Sequence, residues 1–188
     1  MFQFNYLFSF RMIWREIATW TGGYLISRVA GLPNAEDLFR RLYRIPQDFG
    51  KILVLIFGYE KTQPYIQNLS QQLVLIRTLI EAELSGDVQL IDQTAQQLYQ
   101  LADERAEYLA SLNPFWRVIE WQNLTYTFLQ LNFEMIVAFL SGEYQRSINV
   151  FDRLLYHADS IGDYFAEGMY NYLIYRPNRP VSSTETAV

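Results

Sequence analysis

The chain predicts an all-α protein: a four-helix up-down bundle made from a duplicated αα-hairpin, with an extra N-terminal helix and short helices beside it. Three observations predict this. Apolar residues recur at steps of three and four through most of the 188 residues. Two helix-turn-helix stretches match each other at one constant offset, and turn residues punctuate the periodic segments.

Taken in order, an aromatic helix is predicted from about Tyr6 to Ala30, ending at Gly31-Leu32-Pro33. Asn34 can cap a short helix to Arg44, and Pro46 opens another. Pro64 is expected in the first turn of the next long helix, where a missing N–H costs least. Four long amphipathic helices follow. Their stripes are Leu69, Leu73, Ile76 and Ile80; Ala95, Leu98, Ala102 and Leu109; Trp121, Leu124, Phe128, Leu131 and Met135; and Tyr144, Ile148, Phe151, Leu155, Ala158, Phe165 and Met169. Ser85-Gly86-Asp87 and Ser141-Gly142-Glu143 each supply a glycine stop followed by an acid for the next first turn. Asn113-Pro114 supplies an N-cap with proline at N1 for the third long helix. The tail from Pro177 to Val188 has coil composition and is expected to be disordered, leaving one helical domain over residues 1–176.

The repeat carries the bundle reading. The offset that takes residue 85 to residue 141 also pairs Leu73 with Leu129, Ile80 with Ile136, Ala82 with Ala138, Leu98 with Leu154, Ala102 with Ala158, Asp103 with Asp159 and Tyr108 with Tyr164, without a gap. Similar amphipathicity alone would align Leu and Ala positions. Coincidence of the Ser-Gly turn and of the Asp and Tyr positions favours duplication.

Composition removes several chemistries. The chain has no cysteine and one histidine, His157, so thiolate nucleophiles, Cys-rich zinc sites, disulfides and His-centred triads lack their groups. The net charge is −5 and the 15 Lys and Arg residues are scattered, which argues against electrostatic binding of nucleic acid or anionic membrane. No signal peptide is read at the N-terminus, and no stretch approaches the ~20 apolar residues of a spanning helix, so a cytoplasmic protein is expected.

Bundles of this kind can hold two-metal carboxylate sites, but those need Glu-x-x-His on two helices, and Leu154 stands three residues before His157. The acids at symmetric positions, Asp103 with Glu107 and Asp159 with Asp163, lie one turn apart on stripe flanks. They could hold a hard cation in a ferritin-like bundle through oxygen alone. Solvated helix acids, or partners for nearby Tyr and Trp, are the reading the pattern favours. His157 sits at a stripe edge with neither a nucleophile nor an orienting partner evident, as an ordinary half-buried histidine would.

From Trp14 and Trp20 through Gly31-Leu32-Pro33, Arg41-Leu42, Pro46, Asp48-Phe49-Gly50 and Gly58 to Leu73, the chain resembles a known family. The likeness continues at Ala102-Asp103, Leu109, Asn113-Pro114-Phe115-Trp116, Trp121, Tyr144, Phe151-Asp152, Asp163 and Gly168. These are small all-helical Firmicutes proteins of uncharacterised function, often labelled "acetylglutamate kinase" without kinase motifs. Asp48-Phe49-Gly50 is no kinase signature, since no Gly-rich phosphate loop, Val-Ala-Ile-Lys strand or His-Arg-Asp loop accompanies it. The resemblance implies histidines where this chain has Ile17, Gln72 and Phe128, and asparagine where it has Leu101, with acids retained at Asp103 and Asp163. Three imidazoles on three helices would suit a metal or polar ligand. Here that site is remodelled, because Ile and Phe offer no lone pairs and would pack the space instead.

Aromatic content is 16%, with 14 Tyr, 13 Phe and 4 Trp, more than a four-helix core readily hides. Phe2, Phe4, Tyr6, Phe8 and Phe10 alternate, and Tyr164, Tyr170, Tyr172 and Tyr175 could line a pocket or pack around the N-terminal helix. The excess predicts a cover: a second copy, a protein partner or, ranked last because positive charge is low, an interfacial lipid layer. The expectation is a non-catalytic helical-bundle protein, a protein-interaction or small-ligand-binding module that self-associates and carries no cofactor. The rivals are the carboxylate-held metal bundle and an enzyme using carboxylates alone, which would need two of them across a cleft.

Overall fold

The computed structural model describes residues 2–175, with side chains from residue 7 onward. The tail from Pro177 and the side chains of Phe2, Phe4 and Tyr6 lie outside the described residues. Among the described residues seven helices follow one another: α1 (Phe2–Val29), α2 (Ala35–Leu42), α3 (Ile45–Phe57), α4 (Tyr59–Ser85), α5 (Val88–Leu112), α6 (Val118–Leu140) and α7 (Tyr144–Ile174). No strand occurs among the described residues, as the periodicity predicts. Each of α4, α5 and α6 packs on its successor, α1 packs on α7 and α2, and α3 packs on α4.

Helix α1 lies outside the predicted repeat but is integral to the core. Phe10, Trp14, Ile17, Thr21 and Tyr24 recur every three or four residues and, with Ala18 and Leu25, are shut off from solvent. At its centre Phe165 of α7 meets the rings of Phe10 at 4.6 Å, Trp116 at 4.7 Å, Phe49 at 4.9 Å and Trp121 at 5.4 Å. One residue class lets the helices close to this distance. A Cβ at Gly162 would stand 2.6 Å from the backbone nitrogen of Arg11, so only glycine lets α1 and α7 approach as they do.

The two Ser-Gly turns close alike. Gly86 and Gly142 adopt φ of 69° and 76°, and each helix ends with a Schellman pair: Asp87 N to Ala82 O at 3.0 Å and Glu143 N to Ala138 O at 2.9 Å. The acids then diverge, because Asp87 caps Leu90 N at 3.0 Å while Glu143 makes no side-chain cap bond.

Four local expectations are corrected. Asn34 caps nothing, since its Oδ1 accepts the Ser27 hydroxyl at 2.6 Å and ties the α1–α2 turn instead. Pro64 lies inside α4, which begins at Tyr59 just after the positive-φ Gly58; the carbonyl it leaves without a helical N–H belongs to exposed Glu60, where water can bond it. Asn113-Pro114 does not start α6. Asn113 is buried, donates to Gly168 O at 3.0 Å and accepts from Phe115 N at 3.0 Å, which drops Trp116 against α7 and delays α6 to Val118. Finally, the buried stripe of α7 begins with Ser147, Val150, Leu154, Ala158 and Ile161, whereas Tyr144 and Ile148 are exposed. Contact with both α1 and α6 gives α7 a wide apolar arc, and periodicity picked its wrong edge.

Candidate functional site

Helix α5 carries Arg105 on its apolar stripe, between Ala102 and Leu109, so the fold must bury a guanidinium. It is 1% exposed. Its Nη2 donates to Oε1 of Gln72 on α4, itself 1% exposed, while Nε and Nη1 find no hydrogen-bond partner among the described residues. No carboxylate among the described residues pairs with it. An unpaired ion in such a place is costly. Burial lowers the guanidinium from its ordinary value to about 10, with the Tyr65 hydroxyl acting in the opposite sense, and the group remains cationic at neutral pH.

Arg105 lines a pocket of about 300 Å³ between α4 and α5, together with Tyr65, Asn68, Leu101, Glu104 and Tyr108. The Tyr65 ring packs 5.1 Å from Phe49 and is buried, its hydroxyl is unpartnered, and burial holds it protonated well above its usual range. Asn68 donates to Leu101 O at 3.0 Å but leaves its own oxygen unsatisfied, and Tyr108 donates to Lys61 O at 2.6 Å across the helices. Among the described residues, ten buried polar side-chain atoms lack a partner, and five of them belong to Tyr65, Asn68, Gln72 and Arg105. Native interiors rarely leave such atoms bare, so their concentration in one place marks the α4–α5 pocket as the candidate site.

The residues singled out in the sequence divide between this site and the core. Gln72 is the buried partner of Arg105, and Leu101 lines the pocket. Ile17 and Phe128 sit in the apolar cluster, with Phe128 edge-on to Trp14 at 5.3 Å. The four candidate metal acids have other engagements or none. Asp103 accepts from Gln122 at 2.8 Å and Tyr126 at 2.5 Å, Asp159 from Arg15 at 2.8 Å, and Asp163 receives a two-pronged bond from Arg11 at 2.5 and 2.7 Å. Glu107 is exposed. These acids do not form one ligand set: among the described residues, no three His, Asp or Glu side chains gather where they could hold a metal ion. The pocket's one carboxylate is Glu104, so it offers no facing pair of acids. Tyr164, Tyr172 and Tyr175 go to separate neighbours, Trp121, Phe57 and Phe115.

His157 bonds the Leu124 carbonyl through Nε2 at 2.6 Å, which requires that nitrogen to carry the proton. Burial depresses its imidazole below the ordinary 6.5, against the opposing effect of that bond. The unfolded chain therefore binds a proton near 6.5 and the folded chain only at lower pH. The stability contributed by the neutral ring is complete above about 6.5 and is lost as the pH falls through the folded value. Urea midpoints at about pH 7.5 and about pH 5.5 should differ more in the wild type than in His157→Gln. Equal differences would show that the ring does not contribute.

Arg105 is the candidate-site residue that sequence reading missed. Its place three residues after Ala102 and four before Leu109 was the available signal, masked by Asp103, Glu104 and Glu107, which make the segment look like a solvated face. No known protein family, curated protein or solved structure matches the chain.

Proposed function

We propose that the protein is a non-catalytic small-ligand-binding module whose site is the α4–α5 pocket. The observation that carries this is Arg105, which lines the pocket and whose buried Nε and Nη1 find no acceptor among the described residues. A fold that needs only apolar packing has no use for that charge, whereas a ligand would complete its bonding. The scaffold is a duplicated αα-hairpin forming an up-down bundle of α4 to α7 within one domain, with α1 docked on it. The matching Schellman turns support the duplication. The resemblance to the small Firmicutes helical proteins belongs to the same reading.

The proposal also includes self-association in the cytoplasm and no nucleic-acid role. Exposed Leu55, Tyr144, Ile148 and Tyr156 support the first, and the net charge of −5 supports the last. No described helix is long and apolar enough to cross a membrane.

The binding reading is tested by adding benzoate, benzamide and benzylamine to the ¹⁵N-labelled full chain. At least one should shift amides confined to residues 64–72 and 101–108. If none of the three moves those amides, the pocket is not a binding site.

A further inference from the structure

We propose that the pocket takes a small monocarboxylate, whose oxygens supply the acceptors that the Arg105 guanidinium lacks. This rests on the binding role assigned to the pocket and names its ligand class. Nε and Nη1 of Arg105 are donors without acceptors, and the Tyr65 hydroxyl can give a further proton to an oxygen placed there. Gln72 holds Nη2 and the Phe49 and Phe165 rings pack Tyr65, while the three free donors are closed to solvent, so a ligand engages them only as the Arg105 and Tyr65 side chains shift toward the pocket.

Charge selects among anions. The site buries one positive charge, which one carboxylate neutralises. A phosphate dianion would leave a surplus negative charge beside Glu104 on the same wall. A neutral amide can accept only weakly, and its N–H groups would face donors. A cation would meet the guanidinium directly. Size restricts the ligand further, since about 300 Å³ is at the small end of ligand pockets, below what a nucleotide or peptide needs. The Tyr65, Tyr108 and Leu101 walls suit an apolar or aromatic body behind the carboxylate.

The test is calorimetric titration of the full chain, in chloride-poor buffer, with benzoate, benzamide and inorganic phosphate, repeated on Arg105→Met. Benzoate should bind about tenfold or more tightly than its isosteric amide, phosphate more weakly than benzoate, and Arg105→Met should lose the preference for benzoate over benzamide while keeping a cooperative thermal transition. Tyr65→Phe, which leaves the charge in place, should weaken benzoate several-fold. Equal binding of benzoate and benzamide would overturn the carboxylate assignment and leave the pocket's binding role standing. Tighter binding of phosphate, or a benzoate preference retained in Arg105→Met, would overturn it too. Failure of every probe in both this titration and the amide-shift experiment would remove the binding role as well.

Discussion

Gly162→Ala is expected to destabilise the protein by about 3 kcal/mol, at the upper end of ordinary overpacking. The same change inside an open helix would stabilise it by up to about 1 kcal/mol, because alanine is the better helix former. The sign is set by what the new methyl meets. At Gly162 it would lie 2.6 Å from N and 2.7 Å from Cα of Arg11, backbone atoms that cannot rotate aside. Helix α1 would have to retreat from α7, loosening the contact of Phe10 with Phe165 and the two-pronged Arg11–Asp163 bond beside it. Gly23→Ala in the middle of α1 is the control. Its methyl would meet only Leu38 Cδ2 at 3.9 Å, an ordinary contact, so stability should hold or rise. Urea unfolding of the two variants checks the pair. If they shift the midpoint alike, close approach of α1 and α7 is not what requires glycine at 162.

Much of the fold could be read from the chain because its signals are local. Leu69, Leu73, Ile76 and Ile80 fall on one face by spacing alone, and all four are buried. Gly86 and Gly142 stop helices because a left-handed residue is needed there, which the Ser-Gly-acid pattern announces. Tertiary demands were less legible. Nothing near Asn113 in sequence reveals that Gly168 O will claim its side chain, and nothing near Gly162 announces the backbone of Arg11. The acids at Asp103, Asp159 and Asp163 show the same limit. Their flank position was clear, but their partners arrive from α6 and α1, far along the chain. At the pocket, spacing could place Gln72 and Arg105 on inward faces, yet whether a carboxylate follows them inside is a property of the assembled helices.

That missing carboxylate gives the second large effect. Replacing Arg105 and Gln72 together, as Arg105→Met with Gln72→Leu, is expected to stabilise the ligand-free protein by about 1–4 kcal/mol, the range seen when buried ionic groups give way to apolar ones. Methionine is flexible enough to fill the channel left by the arginine stem. Arg105→Met alone should gain less, because the Gln72 oxygen then loses its donor and stays buried. The ordering matters more than either magnitude: double variant above single variant above wild type, in urea midpoints measured without carboxylate. A wild type more stable than the double variant would mean that the guanidinium supports the fold, and its burial would then need no ligand to explain it. In the expected order, the protein keeps a residue that weakens it at rest, and a bound carboxylate would recover that loss in proportion to its occupancy.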